Sequence, residues 1–148
     1  MRIKNQAGVA IVEFALILPI LIVLAVGISE FSLMLYDQAM LTNASREGAR
    51  AGIVSQDPRV TNTEIKQVVK DYLGKYDKDG KLIKSYLVSF KPGTEPIPDS
   101  DPDPTPTEFG DELTVTVTYE YTFLVLPKFI VELAGLKTLT AKTVMRME

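Results

Sequence analysis

The chain has 148 residues with 16 basic and 19 acidic side chains, a net charge of −3, and neither cysteine nor histidine. This length fits a membrane helix and one small domain of about 100 residues, without room for a second full domain. The composition excludes thiol nucleophiles, Cys/His zinc sites and imidazole acid–base chemistry. The basic residues are scattered, which argues against a nucleic-acid footprint, so nucleic acid is not an expected partner.

An apolar run of 20 residues, 9–28, directly follows Gly8 and contains a single charge, Glu13. At 1.5 Å per residue it is about 30 Å long as a helix, the thickness of a bilayer's hydrocarbon core. A carboxylate in such a segment costs roughly 2.5–3.5 kcal/mol on insertion scales. The run therefore predicts a transmembrane helix in which Glu13 has a functional role.

The charges that flank this run predict its orientation. Arg2 and Lys4 precede it without any acid, whereas Glu30 and Asp37 follow it. The positive-inside bias then predicts a single pass through the membrane with a cytoplasmic N-terminus. Residues 29–148 would form an extracytoplasmic domain.

Three interpretations of the N-terminal segment compete. A cleaved secretory signal could end at Ala25-Val26-Gly27, although its apolar region is long and interrupted by a charge. A plain signal anchor would let Glu13 snorkel toward the cytoplasmic interface. The favoured interpretation is a prepilin-type leader, residues 1–8, cut after Gly8 to leave Val9 as the mature N-terminus.

In the third interpretation Glu13 becomes the fifth residue of the mature chain, four after the new amine of Val9 and on the same helix face. When such helices stack, the carboxylate of one subunit can meet the amine of its neighbour. At an effective dielectric constant near 20 this contact is worth on the order of 4 kcal/mol before desolvation. Glu13 is accordingly the expected assembly residue.

Helical periodicity continues beyond the apolar run. Apolar and small residues recur with helical spacing at Met34, Leu41, Ala44, Gly48 and Ala51. This stripe predicts one helix from about residue 10 to residue 53, whose second half is the spine of the domain. A ladder of small residues, Ala44, Gly48 and Gly52, predicts that another backbone can approach closely.

The rest of the chain reads as a second helix and several strands. Thr61 and Glu64 predict a capping box before a helix that ends near Gly74. Strands are predicted at 82–90, 113–123 and 139–147, with a short helix at 127–136. The expected fold is α+β and pilin-like: a long membrane-spanning helix packed on a small antiparallel sheet of three or slightly more strands.

A segment rich in proline and aspartate, 92–112, separates the first two predicted strands. Its composition predicts a solvated, mobile loop. Asp99, Asp101 and Asp103 are spaced like the start of a calcium loop, but the prolines between them stiffen it and the turn glycine is missing. A loop that contacts a partner is the other alternative, and no metal site is predicted.

Several stretches resemble the TadE-like pseudopilin family of the Tad/Flp (type IVc) pilus apparatus. They are GVAIVEFA at 8–15, Pro19, Glu30-Phe31, LTNASREGAR at 41–50 and, less specifically, the tail at 113–148. The resemblance implies an inner-membrane minor pilin that a prepilin peptidase cleaves between Gly8 and Val9. Other pilins or pseudopilins and the inner-membrane Tad assembly platform are the implied partners, and Glu13 is the implied assembly carboxylate.

The leading function is therefore a minor pilin or pseudopilin required for assembly of an adhesive pilus, in which it could also be incorporated. The alternative is a single-pass membrane-anchored binding module with an incidental Glu13. An enzyme is not expected, because no nucleophile–base pair, metal cluster or phosphate loop stands out. Glu112 and Glu120 are interpreted as the solvent face of a sheet, and no cofactor is predicted.

Overall fold

The computed structural model describes residues 4–54, 59–91, 94–101, 110–126, 131, 135 and 137–146. Two helices and five strands follow one another along the chain. They are α1 (Lys4–Ile53), α2 (Asn62–Leu73), β1 (Gly74–Tyr76), β2 (Leu82–Ser85), β3 (Ile97–Asp101), β4 (Glu112–Tyr121) and β5 (Lys137–Arg146). The predicted α+β arrangement, a long N-terminal helix followed by a small antiparallel sheet, is confirmed.

The first helix, α1, has 50 residues and runs without interruption through Pro19. At 1.5 Å per residue it is about 75 Å long. Its second half carries the predicted buried stripe, in which Leu41, Ala44 and Gly48 are fully covered. Ala49 is also buried, so the covered face is wider than the sequence pattern indicated.

Two glycines allow α2 and the sheet to pack closely on α1. A Cβ atom on Gly48 would lie 2.5 Å from Cγ2 of Val69 in α2. A Cβ atom on Gly52 would collide with Cδ2 of Leu113 in β4 and would lie 2.7 Å from Cδ1 of Ile65 in α2. The ladder does allow close approach at Gly48 and Gly52, but the nearest atoms belong to side chains and not, as predicted, to another backbone. The approaching groups are side chains of the same chain.

The second helix, α2, begins with the predicted capping box. Thr61 Oγ1 accepts a hydrogen bond from Glu64 N at 3.3 Å, and Thr61 N donates to Glu64 Oε2 at 2.8 Å. Both bonds satisfy amides that the first helical turn leaves without intrahelical partners. The apolar stripe of α2, comprising Ile65, Val69 and Leu73, is buried against the rest of the domain.

The main sheet has three antiparallel strands in the order β3-β4-β5. The central strand, β4, alternates as predicted, and its buried side consists of Leu113, Val115, Val117, Tyr119 and Tyr121. These side chains share one hydrophobic core with the buried faces of α1 and α2. A separate two-stranded hairpin, β1–β2, follows α2 directly.

The predicted strand at 82–90 and the predicted loop at 92–112 both need correction. Only Leu82–Ser85 is a strand, and it pairs with β1 in the hairpin instead of joining the main sheet. The first strand of the main sheet is β3, within the proline-rich segment. Pro98 is compatible with this place because β3 is an edge strand, one of the few positions in a sheet where proline is found.

Parts of two other predictions lie outside the described residues. Of the predicted helix at 127–136, the structure describes Val131, which is helical, and Gly135. Gly135 has a φ of 73° and donates its N–H to Val131 O at 2.9 Å, the pattern of a helix end. Asp103, one of the three aspartates considered for calcium, is not among the described residues.

Candidate assembly helix and its attachment to the domain

The first half of α1 presents an apolar surface that no described residue of the chain covers. The segment Gly8–Ile53 is long and apolar enough to contain a membrane span, with a mean hydropathy of 3.0 in its best window. None of that window is buried within the molecule. In water such a surface would be very unfavourable, so this part of α1 is a candidate membrane anchor.

Gly8, Val9 and Glu13, the residues predicted for processing and assembly, lie on this exposed part of α1. Val9 and Glu13 are four residues apart and therefore one helical turn from each other. Among the residues that the structure describes, none gives the Glu13 carboxylate a hydrogen bond or a counter-ion. Among the described residues nothing compensates this charge, and an uncompensated carboxylate is costly in an apolar medium.

Glu30, just past the apolar run, has the opposite environment. Its carboxylate is buried and accepts a hydrogen bond from Tyr121 Oη at 2.7 Å. It also accepts from three successive backbone amides, Leu124 N at 3.0 Å, Val125 N at 2.6 Å and Leu126 N at 3.1 Å. One side chain of α1 thus holds the turn that follows β4.

The protonation equilibria of Glu30 and Tyr121 reflect this contact. Burial by itself raises the pKa of Glu30, but the hydrogen bonds from Tyr121 and the three amides outweigh it, and the net pKa lies below its usual value. Burial, together with the adjacent Glu30 carboxylate, raises the pKa of Tyr121. Glu30 is therefore the ionised acceptor and Tyr121 the donor at neutral pH.

Asp37, seven residues further along α1, holds a second segment in the same way. Its carboxylate accepts from Val88 N at 2.8 Å, Ser89 N at 3.1 Å and Ser89 Oγ at 2.5 Å. Ser89 Oγ also lies 3.2 Å from Tyr119 Oη. Because seven residues are close to two helical turns, Glu30 and Asp37 project from the same face of α1.

The comparison with protein families concerns this helix. Residues 8–50 match the TadE-like protein family. The matched segment contains the apolar run, Glu13, Pro19 and both buried carboxylates, so the resemblance inferred from the sequence is confirmed there. No curated protein and no solved structure matches the chain.

The TadE-like match points to a protein associated with the Tad pilus. It covers α1 alone and leaves α2 and the sheets outside the matched segment. The weaker likeness noted at 113–148 stays a prediction. The helix that would enter the membrane and the face that attaches the domain to it are thus the TadE-like parts of the molecule.

The structural roles of Glu30 and Asp37 were missed by the sequence analysis, which used both as flanking charges and Glu30 also as part of the family resemblance. A signal was present, since the two acids stand in register with the buried stripe that continues at Leu41 and Ala44. An acid on the apolar face of a helix indicates a buried partner. The sequence could not identify the partners of Glu30 and Asp37, because these partners lie 51 to 96 residues away along the chain.

Among the described residues, no three acidic side chains gather as metal ligands would. Asp99 lies in β3 and pairs with Lys66 Nζ at 3.2 Å. Glu112 and Glu120 are exposed, as predicted, and Glu112 pairs with Arg146 at 3.3 Å.

Proposed function

We propose that the chain is a membrane-anchored minor pilin or pseudopilin that acts in assembly of a Tad/Flp-type adhesive pilus. The observation that carries this proposal is Glu13, a carboxylate without a described partner on an uncovered apolar helix, inside the segment that matches the TadE-like family. A structural role of this kind needs no catalytic centre. We therefore propose no enzymatic activity.

The geometry supports assembly through α1. A lone carboxylate in an apolar medium is costly, and it becomes favourable when a cationic group of a neighbouring helix meets it. After cleavage between Gly8 and Val9, the amine of Val9 would be such a group, one turn before Glu13. Helices stacked side by side would then be held in axial register, with the folded domain on the outside.

This proposal implies partners and a location. A prepilin peptidase would remove residues 1–8, and other pilins or pseudopilins and the Tad platform of the inner membrane would receive α1. Before assembly the protein would be a single-pass inner-membrane protein with its N-terminus in the cytoplasm. The candidate membrane helix and the basic residues before it support this orientation.

Intact-mass measurement and N-terminal sequencing of the protein from its native host test the processing step. We expect the mature chain to begin at Val9. Two matched variants assign the cleavage: Gly8→Leu should block a cut after residue 8, whereas Gly27→Leu should leave that cut unaffected. Cleavage that yields Ile28 as first residue and is lost only in Gly27→Leu would identify a secretory signal instead.

Retention of Met1 in the native protein would favour the alternative, a membrane-anchored binding module. In that case Glu13 would be an incidental charge that snorkels to the interface. The mass difference between the two forms is eight residues, so a single spectrum separates them.

A further inference from the structure

The turn after β4 presents apolar side chains outward while its backbone amides point inward. Leu124 and Val125 are 45% and 44% exposed. The amides of both residues and of Leu126 donate to the carboxylate of Glu30. Surface loops ordinarily leave many of their amides to water, whereas these three amides are bonded within the molecule and the two apolar side chains are exposed.

The turn lies at the height where α1 would leave the membrane. Glu30 is two residues beyond the apolar run 9–28, which corresponds to about 3 Å along the helix axis. The interfacial layer extends roughly 5–7 Å beyond the hydrocarbon core on each side. A segment bonded directly to Glu30 is therefore within the headgroup layer if residues 9–28 fill the core.

A narrow groove joins the turn to the apolar helix. Its volume is about 160 Å³, and Gly27, Phe31, Met34, Phe123 and Leu126 line it together with Glu30. Gly27 belongs to the membrane run, and Phe31 is exposed one turn further on. The apolar surface of the helix is thus continuous with the turn of the domain.

Glu30 compensates the backbone amides that would otherwise make this turn unfavourable in a layer poor in water. Backbone amides that leave water without a partner cost several kcal/mol each in lipid. Here three successive amides share one ionised acceptor, and that acceptor is itself compensated by the hydroxyl of Tyr121. The polar groups of the turn are satisfied within the molecule, while Leu124 and Val125 stay available to lipid.

We propose that Leu124 and Val125 form a second membrane contact, which rests the folded domain on the outer face of the bilayer around α1. The occupant of this surface is the headgroup and upper acyl region of the lipid. This inference rests on the membrane insertion of residues 9–28 in the proposed function. It adds that the domain is seated on the bilayer through the Glu30-bound turn before the protein enters an assembly.

The absence of cysteine from the sequence allows a direct test. Single-cysteine variants of the full chain would carry a nitroxide label at Leu21, Leu124 or Val144, in vesicles of phosphatidylcholine and phosphatidylglycerol at low protein density. Collision rates with oxygen and with a water-soluble nickel chelate then report the depth of each label. Leu21 lies in the apolar run and is 51% exposed.

Val144 is the matched control. It is an aliphatic residue with 49% exposure, close to that of Leu124. Its neighbour Thr143 contacts Ser45 at 2.7 Å, and Ser45 lies 15 residues beyond Glu30, or about 22 Å further along the axis of α1. A label at Val144 should therefore report water.

We expect Leu21→Cys to report the hydrocarbon core and Leu124→Cys the headgroup layer, with nickel collisions several-fold fewer than at Val144→Cys. Equal nickel access at Leu124 and Val144, with Leu21 protected, would overturn the inference and leave the proposed anchor intact. An accessible Leu21 would overturn both. Line broadening at Leu124 that disappears on dilution with unlabelled protein would assign the surface to a second copy of the chain, and would also overturn the inference.

Discussion

Glu30 in α1 and Val125 after β4 are joined by a 2.6 Å hydrogen bond between groups 95 residues apart in sequence. Asp37, further along the same face of α1, accepts a similar bond from Ser89. The two contacts attach two loops of the domain to α1 through buried carboxylates. Hydrogen bonds to an ionised acceptor are stronger than those between neutral groups. The domain is therefore attached to its helix by charge as well as by its apolar core.

Replacement of Glu30 by Gln should make the stability of the domain less dependent on acid. The lowered pKa of Glu30 means that folding favours its ionised form. Its stabilisation is present above the ordinary value of 4.5 and is lost as the pH falls through the lower pKa of the folded state. We expect Glu30→Gln to lower the free energy of unfolding by about 2 kcal/mol at pH 7 and by progressively less as the pH falls below 4.5.

Chemical unfolding of the full chain in detergent micelles, followed between pH 3 and pH 7, measures this effect. Glu120→Gln is the matched control, because Glu120 is an exposed glutamate on β4. It should leave the pH profile unchanged. Parallel profiles for wild type and Glu30→Gln would contradict the assignment of Glu30 as an ionised acceptor.

The substitution Asp37→Asn should destabilise the domain although it replaces only one non-hydrogen atom. The new amide nitrogen would face one of the donors of Ser89 or Val88, so that at least one buried N–H or O–H loses its acceptor. We expect a loss of about 2–3 kcal/mol in the free energy of unfolding. Gln38→Ala, which removes a hydrogen bond between neutral groups to Thr140 O, should cost about 1 kcal/mol or less in the same assay. Equal losses of unfolding free energy in Asp37→Asn and Gln38→Ala would show that the charge at Asp37 is unimportant.

Gly48→Ala tests the close packing of α2 on α1. The added methyl would lie 2.5 Å from Cγ2 of Val69, a buried and branched side chain that has little room to move. Overpacking of this kind costs roughly 1–3 kcal/mol, against a gain of up to about 1 kcal/mol in helix propensity. Gly27→Ala is the control, because a Cβ atom there would have no neighbour within 4 Å apart from the backbone of its own helix, and the domain should stay as stable as the wild type. An unchanged melting temperature of Gly48→Ala would refute the packing argument.

Glu13→Ala separates assembly from insertion. Removal of an uncompensated charge favours the bilayer, so membrane insertion should be unchanged or improved. The folded domain should be unaffected, since no described residue of it bonds to Glu13. Co-purification with other pilus components and the number of surface pili should both fall.

Ile17→Ala is the control for Glu13→Ala, because Ile17 lies one turn further on the same exposed helix and carries no charge. We expect near wild-type piliation from this variant. If Glu13→Ala also gave wild-type piliation and co-purification, Glu13 would be incidental and the chain a plain membrane-anchored protein.

The elements that the sequence predicted correctly are those with strong local periodicity. Three such patterns extend over ten or more residues each: the apolar run, the buried stripe of α1 and the strict alternation of β4. The capping box at Thr61 and Glu64 involves residues only three apart. Such patterns are visible without knowledge of the fold, because side-chain direction follows directly from helix and strand geometry.

The strand in the proline-rich segment could not be predicted in this way. Proline and aspartate disfavour strands, and the composition of 92–112 predicted a loop. In the structure, Ile97–Asp101 pairs residue by residue with Thr114–Thr118 of β4. The hydrogen-bonding edge that β4 offers outweighs the weak local preference of residues 97–101 for a loop.

By itself, then, the sequence determined the long helix, the membrane-length segment with Glu13 and the α+β class, because these depend on periodicity and on charges close together in the chain. Only the tertiary structure decided the partners of Glu30 and Asp37, the place of β3, and the position of Leu124 and Val125 beside the end of the apolar run. The physical reason is that each of these depends on groups brought together from distant parts of the chain. A buried carboxylate requires donors near it in space, and sequence spacing contains no record of where those donors will be.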